Sequence, residues 1–139
     1  MGDLAGRAAV VAAARACVGT PFRPQGRVPG LGLDCVGVAL AAARAAGGAA
    51  RDWPLPPYRL GGDHDASMLA TLQAIGCTPV DRGEPGDLLV LAPRPRLRHL
   101  GILTGSGLVH AHAGLGRVVE GPISADWQQV GHWRLPGVD

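Results

Sequence analysis

The first half of the chain carries its apolar residues at helical spacing. Apolar side chains recur every three or four residues in 4–18 and 35–46, which predicts two helices. Residues 65–75 repeat the pattern and predict a third helix, whose inward face holds Met68, Leu69, Leu72 and Ile75. Two stretches rich in Gly or Pro interrupt the helices and predict a loop over 19–33 and an ordered arm over 51–64.

The second half changes to the pattern of short strands. After the turn Pro85-Gly86-Asp87, brief apolar runs separated by Gly-bearing turns predict strands near 88–91, 99–104, 107–112, 117–120 and 131–135. Strands this short and this close favour an antiparallel meander or a small barrel. Helices first and strands second is an α+β order, so we expect N-terminal helices packed on a C-terminal antiparallel sheet of about five strands.

Composition supports a folded chain and excludes several classes of function. Residues 1–139 suffice for one domain, and 47% hydrophobic against 17% charged residues is typical of a globular protein. A formal net charge of +2 is too small to indicate nucleic-acid binding. No apolar run approaches the roughly 20 residues of a membrane span. The N-terminus also lacks the pattern of a signal peptide, so we expect synthesis in the cytoplasm.

The three cysteines do not form the even, regularly spaced set of a disulfide framework. Cys17 and Cys77 are interpreted as small buried apolar residues. Cys35 differs because Asp34 precedes it as a helix N-cap, which places the thiol in the first helical turn. There the helix dipole favours a thiolate, and the unpaired N–H groups can bind an oxyanion. Cys35 is therefore the candidate nucleophile.

Two histidines on later predicted strands complete a candidate catalytic set. His99 opens one strand and His110 lies in the next, so a hairpin would bring the two rings together. His99 would then act as the base for Cys35, and His110 would fix the tautomer of His99. We expect an imidazolium at His99 to lower the pKa of the Cys35 thiol. His112 shares the face of His110 and is the alternative third residue.

A metal site is the competing interpretation of Cys35, His99, His110 and His112, because zinc takes Cys and His ligands. However, the chain has neither a close Cys pair nor a His-Glu helix motif. We therefore expect no metal and no cofactor.

Five short motifs, in this order, resemble those of the NlpC-type (NlpC and p-sixty) cysteine peptidases. They are Gly19-Thr20-Pro21-Phe22, Asp34-Cys35-Val36-Gly37, Gly86-Asp87-Leu88-Leu89, His99-Leu100-Gly101-Ile102 and Val109-His110-Ala111. The resemblance covers most of the chain and implies a papain-like fold. It also implies hydrolysis of an amide bond in peptidoglycan stem peptides through a thioester acyl-enzyme. The implied roles are Cys35 as nucleophile, His99 as base and His110 as third polar residue.

Three further stretches resemble the branch of this family found as phage cell-wall peptidases, including tail modules of gene transfer agents. They are Pro56-Pro57-Tyr58, the loop 26–32 and Trp133-Arg134-Leu135-Pro136. This resemblance implies phage-like tail proteins as partners, and incorporation into a phage-like particle that acts at the cell wall.

Two positions depart from the family pattern. Val36 replaces a Ser found in many members and is interpreted as a packing residue. Phe22 stands where many members have a Tyr whose hydroxyl helps to bind the oxyanion. That role would then pass to the backbone N–H of Cys35, with Gln25 as a substitute donor. The residues that we place at the substrate-binding surface are Phe22, Asp34, Arg98 and His112.

Several other residues and functions have more than one interpretation. Arg94, Arg96 and Arg98 either recognise the carboxylates of stem peptides or form a solvated hairpin tip. Trp127 and Trp133 are interpreted as packing residues. An inactive tail or scaffold protein with the same fold is one alternative function. An amidase or acyltransferase that uses the same three residues on another acyl group is a second.

Overall fold

The computed structural model describes residues 2–46 and 64–138. Its helices are α1 (Gly2–Ala16), α2 (Cys35–Ala45) and α3 (His64–Ile75). Its strands are β1 (Arg27–Val28), β2 (Gly32–Leu33), β3 (Thr78–Val80), β4 (Leu88–Arg94), β5 (Leu97–Thr104), β6 (Gly107–His112), β7 (Arg117–Gly121) and β8 (Gln128–Arg134). Apart from His64, the arm expected over 51–64, with its Pro56-Pro57-Tyr58 stretch, lies outside the described residues.

Six of these strands form one antiparallel sheet in the order β3-β8-β4-β5-β6-β7. The three helices precede this sheet and pack on it, so the expected α+β class is confirmed. The sheet has one strand beyond the five runs that the sequence indicated. This strand, β3, pairs with β8 and consists of only three residues, including Pro79, so it shows no alternation of apolar positions. The two short strands β1 and β2 form a separate hairpin inside the expected loop over 19–33.

The main core lies between the helices and one face of the sheet. Every second residue of the central strands points into it, as in Leu88 and Val90 of β4 or Leu100 and Ile102 of β5. Helix α3 contributes Met68, Leu72 and Ile75, as expected. Leu69 was expected on the same face but is 42% exposed, because it borders an open groove between α3 and β8.

A smaller apolar cluster covers the opposite face of the sheet. Leu89 and Leu91 of β4 and Leu108 of β6 are buried there, and Ile123 and Trp127 pack against them. Strand β4 is therefore buried on both faces, which explains its continuous apolar run. The segment that leads into β8 supplies the cover for this second face.

A buried carboxylate ties α1 to the sheet. Asp87 is fully buried just before β4 and accepts hydrogen bonds from Arg7 of α1 at 3.2 Å and from Arg134 of β8 at 3.0 Å. The N–H of Glu84 donates a further bond to it at 2.9 Å. Burial alone would raise the pKa of Asp87, but the bonds from Arg134 and Glu84 and the arginine charges outweigh it and lower that pKa. Asp87, Arg7, Arg134 and Glu84 are called the Asp87 cluster below.

Glycine allows the start of α2 to lie close to the preceding loop. A Cβ at Gly37 would overlap the carbonyl oxygen of Gly26, so only glycine permits this approach. In the part of the chain that the structure describes, no helix is both long enough and apolar enough to cross a membrane.

Candidate active site

The N-terminus of α2 is held by the carboxylate of Asp34. Its Oδ1 accepts hydrogen bonds from the N–H of Gly37 at 2.8 Å and from Arg27 at 2.7 Å, and its Oδ2 accepts the N–H of Gln25 at 2.7 Å. The expected N-cap is therefore present, and it makes Cys35 the first residue of the helix. The position of the thiol thus depends on a cap that is itself anchored to the β1–β2 hairpin.

This network changes the interpretation of Asp34 and Gln25. Asp34 is 1% exposed and its carboxylate is engaged by the helix and by Arg27, so it positions Cys35, and it also lines the cleft described next. Gln25 adopts a positive φ of 58°, and its backbone N–H serves the cap. Its side chain is exposed and is not part of the cleft described next, so it is not the substitute oxyanion donor.

Cys35 and His99 line the same cleft, which has a volume of about 440 Å³. Residues 93, 94 and 97–99 of the β4–β5 hairpin form part of its wall, and Met68 and Thr71 of α3 form another part. The residues expected at the substrate-binding surface also line it: Phe22, Asp34, Arg98 and His112. The cleft therefore brings together the expected nucleophile, the expected base and all four expected binding residues.

The sulfur of Cys35 lies where two strands of the sheet separate. The pairing of β5 with β6 begins at Thr104 and Gly107 and ends at Ile102 and Val109. Beyond that point the backbone N–H of Leu100 hydrogen-bonds the sulfur, as does the N–H of Val36 in the first turn of α2. Since Leu100 directly follows His99, the end of this ladder places the thiol beside the strand segment that carries the base.

His99 and His110 form a hydrogen-bonded pair. Nε2 of His99 lies 2.8 Å from Nδ1 of His110, and the ring centroids are 4.9 Å apart. This is the geometry expected of an orienting third residue. Because Nε2 of His99 is engaged by His110, Nδ1 is the nitrogen left for the cleft and for Cys35.

His112 has a separate position at the edge of the same cluster. Its Nδ1 accepts the backbone N–H of Leu115 at 3.1 Å, and its ring lies 5.5 Å from that of His110. It lines the cleft but does not bond to His99. Of the two candidates for the third residue, His110 therefore has the required contact.

Trp127 belongs to the site, although the sequence indicated only a packing role. Its indole lies 5.3 Å from the ring of His99 and 5.8 Å from that of His110, and it lines the cleft. The cause is the register of β8, which pairs Gln128 with Ala92 and so brings residue 127 to the cleft end of β4. No spacing in the sequence predicts this register, because β8 pairs with a strand far from it along the chain.

Burial dominates the charge states in the cleft. Burial, together with the neighbouring Asp34 carboxylate, raises the pKa of the Cys35 thiol to about 12. Burial and the charges of His110 and His112 lower the pKa of His99 to about 3, and burial and the charge of His112 lower the pKa of His110 to about 4. The expected lowering of the thiol pKa by an imidazolium was therefore wrong. The resting pair is a neutral thiol and a neutral imidazole.

The remaining wall of the cleft is aromatic and basic. Phe22 is half-buried against the main core and presents no hydrogen-bond donor from its side chain. Arg98 donates from Nη1 to the carbonyls of Pro95 and Leu97 at 3.0 and 3.1 Å, which holds it along the hairpin. Arg94 also lines the cleft, whereas Arg96 lies outside it. Within residues 2–46 and 64–138, no three His, Cys, Asp or Glu side chains are arranged to hold a metal ion.

Comparisons with known proteins give a fold and no closer relationship. No model of a protein family matches the chain, and neither does any curated protein. Among solved structures, the chain is similar to the P60 domain of an antigen from M. avium subspecies paratuberculosis. The TM-score is 0.63 at 16% sequence identity, and the match covers 100% of this chain and 99% of that domain. The fold of this chain is therefore that of a P60 domain over its whole length.

Proposed function

We propose that this protein is a cysteine peptidase that hydrolyses an amide bond in peptidoglycan stem peptides. The observation that carries the proposal is that Cys35, in the first turn of α2, lines the same cleft as His99, whose ring is hydrogen-bonded to that of His110. The P60-domain fold supports the same reaction class. Thiol, base and orienting group are the three parts that nucleophilic acyl transfer requires.

The neutral resting pair determines how the first step proceeds. As Sγ of Cys35 attacks the carbonyl carbon, its proton passes to Nδ1 of His99, so the thiolate forms only with substrate in place. This requires the proton of neutral His99 to be on Nε2, from where it is donated to Nδ1 of His110. The C–N bond then breaks, and His99 returns the proton to the leaving amine.

The second step regenerates the thiol. The acyl group is now held on Cys35 as a thioester, and water attacks its carbonyl carbon while His99 takes the water proton. The C–S bond breaks, the carboxylic product leaves, and the sulfur recovers its proton from His99. In both steps the backbone N–H of Cys35 is the proposed oxyanion donor, because Phe22 offers none.

The substrate-binding residues are proposed to be Phe22, Arg98 and His112, together with Asp34, which lines the same cleft while its carboxylate caps α2. Arg98 is suited to a carboxylate of the stem peptide because it lines the cleft that holds Cys35. Arg98→Gln should therefore raise KM for a tripeptide with a free glutamate carboxylate by about tenfold and raise it less for the amidated peptide. Arg96→Gln, on the same hairpin but outside the cleft, is the matched control and should leave both KM values unchanged. Equal KM changes for the two peptides in Arg98→Gln would remove Arg98 from substrate recognition.

The direct test is digestion of purified peptidoglycan fragments, followed by mass spectrometry of the muropeptides. Wild type and Cys77→Ala should release the same products, whereas Cys35→Ala should release none. Cys77 is a suitable control because burial also raises its pKa to about 12, yet it lies outside the cleft. Equal release by Cys35→Ala and wild type would end the proposal.

A catalytically inactive scaffold protein is the second candidate, and the raised thiol pKa is the observation that favours it. In that case wild type and Cys35→Ala would both leave every fragment intact. An amidase or acyltransferase would instead consume an acyl substrate in a Cys35-dependent manner without hydrolysing stem peptides. The product masses therefore separate the three functions.

The place of action is proposed to be the cell wall, with delivery in a phage-like particle after cytoplasmic synthesis. The support is the sequence resemblance to phage cell-wall peptidases in the loop 26–32 and in Trp133-Arg134-Leu135-Pro136. Immunoblotting of purified particles for this chain would test it. Its absence from particles made by a producing cell would contradict the tail role and leave the peptidase proposal intact.

A further inference from the structure

One aromatic side chain contacts the histidine pair and also His112. The indole of Trp127 stands T-shaped to His99 at 5.3 Å and 76°, and T-shaped to His110 at 5.8 Å and 84°. It is tilted by 34° to His112 at 6.1 Å. These ring contacts are within the range in which aromatic pairs attract each other beyond simple burial. Trp127 therefore touches both members of the 2.8 Å histidine pair.

The side chain and the backbone of Trp127 are both anchored. It packs on the second apolar cluster, where Leu89, Leu91 and Leu108 are buried, and its backbone N–H donates to the carbonyl of Ser124 at 3.2 Å. The next residue, Gln128, is already paired with β4. A ring anchored in this way can restrict the rotation of a neighbour, whereas a ring on a free loop would follow it.

The contact has a consequence for the proton on each imidazole. Water that reached the bond between His99 and His110 would compete for Nε2 of His99 and for Nδ1 of His110. An indole packed against both rings occupies the space that this water needs. It also removes solvation from any positive charge on either ring, which is the direction in which burial shifts both pKa values.

We propose that Trp127 is a positioning residue for His99: its indole fixes the hydrogen-bonded orientation of His99 and His110 and keeps water from the bond between them. Its effect on catalysis passes through His99, whose Nδ1 it leaves directed to the cleft. The kinetic part of this inference rests on the proposed peptidase function, but the effect on the histidines themselves does not.

The test is a titration of the histidine ring signals by NMR in wild type, Trp127→Phe and Trp127→Leu, with assignment from single His→Asn variants. The ionisable groups around the pair stay the same in all three proteins: Cys35 on α2, His112 on β6, Arg94 and Arg98 on the hairpin, and Asp34 with its partner Arg27. In wild type, His99 and His110 should stay neutral down to about pH 4. In Trp127→Leu, both pKa values should rise by at least about one unit toward the usual value near 6.5. Trp127→Phe should keep most of the wild-type behaviour.

Trp133→Leu is the matched control. Trp133 packs against the main core and lies outside the cleft, so its loss should lower the melting temperature and leave the titrations of His99 and His110 unchanged. On a peptide substrate, Trp127→Leu should lower kcat by about tenfold or more with a smaller change in KM, as expected for a misplaced base. Unchanged histidine titrations in a folded Trp127→Leu would overturn the inference and leave Trp127 as a packing residue. A protein without peptidase activity whose histidines shift as described would support the inference and contradict the proposed function alone.

Discussion

The Cys35–His99 pair and the Asp87 cluster are both buried, but the first is neutral and the second is ionised. In the cleft, Cys35 and His99 have no strong counter-charge, so burial makes both neutral. In the Asp87 cluster, two arginines and a backbone N–H outweigh burial and keep the carboxylate ionised. This difference in charge state suits the pair to catalysis and the Asp87 cluster to stabilising the fold. A neutral thiol and imidazole can exchange a proton when substrate arrives, whereas an ion-paired carboxylate holds α1, β4 and β8 together.

The largest expected effect is on catalysis in the cleft. His99→Asn should lower kcat/KM on a stem-peptide substrate by about 10³-fold or more, because the sulfur loses the base that accepts its proton. At pH 7 its melting temperature should stay close to that of wild type. His132→Asn is the control, because His132 lies on β8 outside the cleft, and it should retain full activity. A fall of less than tenfold in His99→Asn would show that another group takes the proton.

The next effect is on the Asp87 cluster. Asp87→Asn should lower the free energy of unfolding by about 3 kcal/mol, since the two arginines lose their buried partner. Chemical denaturation measures this difference. Glu84→Gln is the control, because Glu84 approaches the same arginines but is 59% exposed, and its loss should cost under about 1 kcal/mol. Equal losses in the two variants would mean that burial of Asp87 adds nothing to the cluster.

A smaller effect for each residue should appear as the pH is lowered. Unfolded histidines take up protons near pH 6.5, whereas folded His99 and His110 do so only near 3 and 4. The unfolded state therefore binds more protons in this window, and stability falls as pH falls, by about 1–2 kcal/mol for each of the two histidines between pH 6.5 and 5. His110→Asn should remove part of this fall. Asp87 has a lowered pKa, so its contribution should be lost only below about pH 4. A flat stability profile between pH 6.5 and 5 would contradict the neutral histidine pair.

The smallest expected effect is an increase in kcat. Phe22→Tyr would add a hydroxyl at a half-buried position that lines the cleft. We expect kcat to rise several-fold, because the backbone N–H of Cys35 already serves as an oxyanion donor. This is well below the ~10²–10³-fold loss of rate that follows removal of a complete oxyanion donor. Phe22→Leu is the control for packing alone. A lower kcat in Phe22→Tyr than in Phe22→Leu would exclude an oxyanion donor at this position.

Local sequence patterns predict some parts of this molecule and not others. The three helices and the order of helices before strands followed from apolar spacing, and the N-cap at Asp34 followed from its place before a helix. Strand β3 did not, because three residues that include Pro79 carry no alternation.

The sequence could predict those residues of the site that lie in short local motifs. The residues Cys35, His99 and His110 lie in short motifs. The structure brings Cys35 and His99 to one cleft and joins His110 to His99 by a hydrogen bond. Trp127 and the Arg27 partner of Asp34 depend on strand register and hairpin packing, which the local pattern does not contain. The direction of the thiol pKa was wrong for a related reason, since it depends on how deeply the folded chain buries the sulfur.

The central claim, that Cys35 is a nucleophile toward a peptide carbonyl, has one direct test. Wild-type protein is mixed with a stem-peptide substrate, quenched in acid within milliseconds to seconds, and digested for mass spectrometry. We expect a transient mass increase, equal to the acyl part of the substrate, on the peptide that contains Cys35, and no such increase in His99→Asn. Turnover of the substrate with no such adduct at any time, or an adduct on another residue, would contradict it.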